Sequence, residues 1–324
     1  MLHITNGDFA SQRIRELDIE GGQLAWSDVL HEGPVPGNLT LEEMSMVRAS
    51  FIADCGWATN MEAQFHFQTR DAVFLSAANT GDVVLWVTHE LYDQLHMMQV
   101  LAWYATEGAD KAKPELVFID QHLSPDTPAE AVTEAFSNRR QATQDDIQQA
   151  YQAWVAFTAL NPRSLESIAA FDTRLPFLKA GIERLKHEYP DQQGISLTER
   201  HALTVLAGSV SAAPYELFGN VRLKEAVPFM GDASFWRILQ AMTESAQPLM
   251  TCDDQARFEL PGLYQHADNF NERRLAITDA GRAVLAGELD WLVEHAIHRW
   301  VGGVRLQSPG CWRFDTNTQS FVRK

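Results

Sequence analysis

The sequence predicts an α/β fold: a doubly wound, mainly parallel sheet at the N-terminus, then a helical connector and a winged-helix-like α+β module. Three observations carry this reading. Residues 83–87 form an unbroken apolar run of the kind found in strands buried on both faces. Short apolar runs alternate with helical patterns throughout residues 1–125. Four clusters of acidic or imidazole side chains, at residues 3–8, 26–34, 88–95 and 120–122, each follow directly on such a run. In a parallel sheet all strands end at one edge, so residues far apart in sequence converge on one crevice.

Residues 2–5 read as a short buried strand, broken by Asn6-Gly7. Residues 9–17 then offer a helix with Asp8 placed as its N-cap. Gly21-Gly22 is a turn and residues 23–26 a second strand, while the Gly-Pro-Val-Pro-Gly segment at 33–37 has to be a loop. Thr40 with Glu43 makes a capping box that opens a helix to about Asp54, and a second helix covers roughly 61–78. Residues 82–88 are the clearest strand. A helix over about 91–106 and a strand at 115–120 complete the alternation.

From 127 to 189 the signals are almost all helical, entered at Pro125 and Pro128 and punctuated by Pro162 and Pro176. Residues 190–194 read as a linker. A helix over 197–207, capped by Ser196 or Thr198, a helix over 233–244, a strand at 275–278 and a helix over 279–289 suggest the winged-helix-like module. The expected domains are therefore 1–125, 126–194 and 195–324.

Bulk properties exclude several classes. With 324 residues, 45% hydrophobic and 21% charged, the chain has a globular composition and length for two domains. No apolar stretch approaches the roughly 18 residues of a membrane helix. Asn6 and Asp8 interrupt the N-terminus, so no signal peptide is expected. Cys55, Cys252 and Cys311 form neither a disulfide framework nor a zinc pattern, and a cytoplasmic location is expected. The formal charge of −17 is uneven: residues 1–125 hold 18 Asp and Glu against 6 Lys and Arg, residues 195–324 hold 15 against 13. An acidic first domain repels a polyanion, and a near-neutral C-terminal module is poorly equipped for duplex DNA, even with Arg273, Arg274 and Arg282 near its presumed wing. DNA is disfavoured as a partner, no membrane contact is expected, and a protein partner or self-association through the C-terminal module stays open.

Each candidate site residue has a plain structural alternative. Asp8 can cap a helix, or act as a base or ligand. Gly7 can permit a turn, or let backbone amides approach an anion at a helix N-terminus. Neither a Walker loop nor a dinucleotide fingerprint is present. Asp28, His31 and Glu32 can be solvated loop charges, or groups held in place by a proline-stiffened loop. His89, Glu90, Asp93 and Gln94 form the densest cluster, at the end of the clearest strand. His66, His96 and His122 have no spacing that demands a metal, and His89-Glu90 does not extend to His-Glu-x-x-His. A hard divalent cation such as Mg²⁺ is an admissible cofactor, with Asp8, Asp28, Glu32 and Asp93 as the candidate carboxylates.

Several segments together resemble the DUF1835 family of bacterial proteins. They are His3-Ile4 with Asn6-Gly7-Asp8, Trp26 with Asp28, Leu30 and Glu32-Gly33-Pro34, and Trp86 followed by Leu91-Tyr92-Asp93-Gln94-Leu95. Residues 275–290, Arg299-Trp300 with Gly302-Gly303, and Trp312-Arg313 resemble the C-terminal region that accompanies it. The resemblance implies a shared fold and site but carries no chemistry. Phe9 stands where the family has a small hydroxyl residue.

The functional expectation is a site in the N-terminal domain that binds a small polar molecule, phosphorylated or nucleotide-like, and hydrolyses it or transfers a group. Asp8 or Glu90 is the acid/base candidate, His89 the proton shuttle, and His3, Asn6, Gly7, Asp28, Glu32, Asp93 and Gln94 the ligand-binding groups. The balance favours an enzyme, a hydrolase or transferase. The alternative is a non-enzymatic ligand-sensing regulator whose C-terminal module contacts protein or DNA. If strands 2–5, 23–26, 83–88 and 116–119 lie parallel, then Asn6, Asp8, Asp28, Glu32, His89, Glu90 and Asp93 border one pocket.

Overall fold

Alternation of apolar strands with amphipathic helices produces a five-stranded sheet near the N-terminus, seen in a computed structural model that describes residues 1–252, 257–261, 270–293 and 295–324. Its strands are β1 (Leu2–Thr5), β2 (Gly22–Ala25), β3 (Val83–Thr88), β4 (Glu115–Ile119) and β5 (Arg140–Gln141), in the order β2-β1-β3-β4-β5. The first four are parallel and β5 pairs antiparallel with β4. His3 sits beside Gln23 on one side and Val84 on the other, and Trp86 beside Val117. β3 is buried at every position, as its unbroken apolar run requires.

The helices between these strands are α1 (Asp8–Glu16), α2 (Leu41–Asp54), α3 (Asn60–Thr80), α4 (Leu91–Ala105) and α5 (Ala129–Ser137), followed by α6 (Gln144–Thr158). Val84 and Trp86 face α1 and α5, in a core with Ala10, Ile14, Val117, Ile119 and Val132. Alternation turns Val83, Leu85 and Val87 the other way, and α3 and α4 also pack on β3. Capping boxes at Thr40 with Glu43, Thr59 with Glu62 and Thr143 with Asp146 fix where α2, α3 and α6 begin. At α1 the expectation is corrected: Gly7, in extended backbone, occupies the cap position, and Asp8 is the first helical residue.

The chain divides into two compact units, residues 1–185 with 300–305, and residues 186–299 with 306–324. The expected connector is therefore split. Its first part belongs to the first unit, where α6 packs along α4 and a 3₁₀ segment (Pro162–Ala170) follows. α7 (Leu178–Lys186) closes that stretch, and Gly181 lies so close to Gln94 that a Cβ would stand 2.7 Å from its Cγ. Residues 300–305 dock there as well: Gly303 N donates to Phe157 O (3.0 Å) and Val35 N to Gly302 O (2.9 Å).

The second unit contains α8 (Leu197–Ala207), α9 (Pro214–Arg222), α10 (Asp232–Glu244) and α11 (Asp279–Ala286). Ser196 caps α8 with Glu199 as its reciprocal partner. β6 (Met250–Cys252) and β7 (Leu275–Ile277) pair antiparallel, and Ala212 bridges to Leu275. β8 (His298–Val301) and β9 (Val304–Gln307) form a second two-stranded sheet, β10 (Trp312–Asp315) and β11 (Ser320–Arg323) a third. Tyr215, Phe235 and Phe270 make edge-to-face contacts with Trp236, and Phe218 packs against it at a tilt. Among the described residues no helix is long and apolar enough to cross a membrane.

Candidate functional site

In this strand order the chain leaves β1 toward β2 on one side and returns to β3 on the other, which opens a crevice beyond their C-terminal ends. The residues that follow β1, β3 and β4 meet there. Asn6, just past β1, donates through Nδ2 to Glu90 Oε2 (3.1 Å) and to Asp93 Oδ2 (2.8 Å). Thr88, the last residue of β3, donates to the same Asp93 oxygen (2.7 Å) and accepts from the Glu90 amide (3.2 Å). Past β4, His122 places Nδ1 2.5 Å from Glu90 Oε1. An ionised Glu90 accepts a hydrogen bond from that nitrogen.

The result is a continuous polar relay, His122–Glu90–Asn6–Asp93–Thr88, closed at one end and open at the other. Glu90 and Asp93 are buried, whereas half of the His122 side chain (51%) is exposed. Glu90 is the N-cap residue of α4 and Asp93 lies in its first turn, where the helix dipole favours negative charge. Burial nevertheless dominates at Asp93: desolvation first, and then the neighbouring Glu90 charge, push its carboxyl up to about 7. A carboxyl that holds its proton near neutrality beside another carboxyl is an acid–base arrangement. His89 stands at the same edge with Nδ1 3.0 Å from Asp120 Oδ1, its ring edge against Phe177. Gln94 donates to Thr88 O (2.6 Å), and its own Oε1 is buried without a partner.

Of the residues expected at one pocket, Asn6, Glu90 and Asp93 are joined by hydrogen bonds and His89 follows Thr88 at the same strand end; the ligand candidate Gln94 bonds to Thr88 O. Gly7 lies beside Asn6 with open space where a Cβ would point, and its extended φ of −168° makes no demand for glycine. Asp8 is exposed and makes no hydrogen bond to the relay. His3 is corrected: it is a core histidine, with Nδ1 accepting from Trp86 Nε1 (3.0 Å) and Nε2 bonded to Glu20 O (3.1 Å). Asp28 is also corrected. It is buried and clasped by Arg48, whose Nε and Nη2 both reach Oδ1, at 2.9 and 2.8 Å. The same guanidinium donates to the carbonyls of Val29, Glu32 and Pro34, so Arg48 pins the 28–34 loop. The Glu32 carboxylate lies 3.8 Å from His31 Nε2.

The four carboxylates named as metal candidates are thus not gathered. Among the described residues no three His, Cys, Asp or Glu side chains stand together as a metal site. Sequence reasoning counted 88–95 and 120–122 among the clusters converging on the crevice but assigned no role to Thr88, Asp120 or His122. It also left out Arg48, which lies 20 residues from Asp28 with nothing local to link the two.

The chain matches no protein-family model and no curated protein sequence.

Proposed function

We propose that the first unit is an acid–base enzyme, a hydrolase or transferase, acting on a small polar molecule held beyond the C-terminal ends of β1, β3 and β4. The observation that carries this reading is the Asn6 amide bridging Glu90 and Asp93 while Glu90 holds His122. Glu90 orients the imidazole, and Nε2 of His122 takes a proton from water or a substrate hydroxyl. Asp93, raised by burial and by the neighbouring Glu90 charge, is the group that holds a proton toward neutrality. His89 on Asp120 is the second proton carrier, and Asn6 the orienting group. The carboxylates favour a hydroxyl or amine at the reacting end of the substrate. The open space over Gly7, at the start of α1, suits a phosphate or carboxylate at the other end. The shared motifs of the DUF1835 resemblance fall partly on this relay, and membership of that family is part of the proposal.

The test is a thermal-shift screen of small hydroxylated, aminated and phosphorylated metabolites against the wild type, Asn6→Ala and His122→Ala. At least one chemical class should raise the wild-type Tm and leave both variants unmoved, with ligand-free Tm values within a few degrees of each other. A panel that shifts none of the three, or all three alike, would refute the reading.

A second reading attaches to the other unit. α8, α9 and α10 followed by the β6–β7 pair, with Ala212 bridging to β7, support a winged-helix arrangement. Charge argues for a protein partner or self-association rather than DNA. α10 carries one basic residue, Arg237, between Asp232 and Glu244, and Arg274 is tied to Glu216 and Ser211. Arg273 spends a donor on the Arg257 carbonyl. Fluorescence anisotropy with duplex DNA at low salt should detect no binding, whereas tight, salt-sensitive binding would reverse this assignment.

A further inference from the structure

A cavity lies at the opposite end of α4 from the acid–base relay. Asp93 is in the first turn of that helix and Trp103 is ten residues on, roughly 15 Å along the axis. The cavity has a volume of about 570 Å³, within the range of small-molecule pockets. It is bounded by the 36–41 loop, the start of α2, the C-terminal half of α4, and α6 with the two residues after it.

Three aromatic side chains line it: Trp103, Tyr151 and Trp154. Glu107 is the one charged residue of the lining, and no Lys, Arg or His takes part. Its Oε1 accepts from the Leu41 amide (2.9 Å), which fixes the carboxylate at the rim. The three lining threonines have already committed their hydrogens, Thr40 to Glu43 Oε2 (3.0 Å), Thr106 to Ala102 O (2.9 Å) and Thr158 to Trp154 O (2.9 Å). Their oxygens therefore offer lone pairs to the cavity rather than donors. Leu160 and Val155, 80% and 48% exposed, give the rim apolar surface. Aromatic side chains, a fixed carboxylate and acceptor oxygens, with no Lys, Arg or His in the lining, suit a cation that carries hydrocarbon.

We propose that this cavity is a binding site for a small organic ammonium compound, its hydrocarbon among Trp103, Tyr151 and Trp154 and its charge beside Glu107. The site is independent of the acid–base relay: it shares no residue with it and draws on different chemistry. Nothing in the relay requires it, so each can fail alone.

The experiment is isothermal titration of the full chain with benzyltrimethylammonium and, separately, with benzoate, accompanied by tryptophan fluorescence. The cation should bind and quench fluorescence, while benzoate should do neither. Glu107→Gln keeps an acceptor for the Leu41 amide and should weaken the cation about tenfold. Trp154→Ala should abolish binding, with far-UV circular dichroism unchanged in both variants, and Glu90→Gln should leave cation affinity as it is. Absence of cation binding at millimolar concentration, equal binding of benzoate, or unaltered affinity in Glu107→Gln would each overturn the proposal. Sedimentation as a dimer with no cation bound would do so too, marking the apolar rim as a self-association surface.

Discussion

Arg48 shows most plainly how single residues are governed by partners far away in sequence. Its guanidinium is wholly buried and bonds to both Asp28 oxygens and to three loop carbonyls. A charge is stable in such a place only because every donor finds an acceptor. Arg48→Met should leave Asp28 buried without its cation and cost about 3–5 kcal/mol in urea unfolding. Arg48→Lys should recover little, because an ammonium does not reproduce the planar fork. A loss below about 1 kcal/mol for the methionine variant would show that Asp28 relaxes to water. From sequence, Asp28 beside a Gly-Pro-Val-Pro-Gly loop reads as a site acid, since the arginine that neutralises it is in the next helix. His3 was misread for the same reason: its partners, Glu20 and Trp86, are 17 and 83 residues distant. Asn6, Glu90 and Asp93 were legible because their position depends only on strand ends.

Elements were legible where local chemistry marks them. Thr40 and Ser196 mark helix starts through reciprocal capping bonds, and the apolar run at 83–87 marks β3. β5 escaped because Arg140-Gln141 has no apolar character and exists through backbone pairing with Glu115 and Leu116. α9 escaped because it is nine residues long and Ala213 caps it without a side-chain bond. The docking of the β8–β9 turn was likewise invisible, and it sets a test with two glycines of opposite behaviour. At Gly303 a Cβ would stand 1.9 Å from the Thr158 carbonyl oxygen, so Gly303→Ala should destabilise the chain by about 1–3 kcal/mol. At Gly219, inside α9, a Cβ meets nothing within 4 Å, so Gly219→Ala should stabilise by about 0.5–1 kcal/mol. Chemical denaturation of both variants reads the signs. Equal effects would contradict the packing described for the turn.

For the molecule as a whole, the α/β class follows from alternation and from the buried centre of the sheet. The division into units does not, because α6 joins the first unit through packing along α4, a long-range contact with no sequence marker. Two buried groups next govern stability as a function of pH. Asp93 is raised from 3.8 to about 7, so its contribution is full below its unfolded value and is lost as pH rises through about 7. His96 is lowered from 6.5 to about 4 by burial, with Nε2 2.7 Å from Asp28 O. Its contribution is full above 6.5 and lost as pH falls through about 4. The slopes oppose each other across the shared window, so the wild-type profile hides both. Asp93→Asn removes one of them. Its unfolding free energy should rise relative to wild type as pH goes from about 4 to about 7, read from urea midpoints across that range. A difference independent of pH would contradict the assignment.

The proposed acid–base role of the first unit rests on Asn6 holding the Glu90 charge against the Asp93 carboxyl. Its most direct test is a ¹³C NMR titration of the carboxyl carbons in aspartate-labelled full-length protein, with the Asp93 resonance identified by its loss in Asp93→Asn. Asp93 should titrate near 7, and Glu90→Gln should move it downward by removing the neighbouring charge. An Asp93 resonance that titrates in the ordinary aspartate range near 3.8, or one that Glu90→Gln leaves in place, would contradict it.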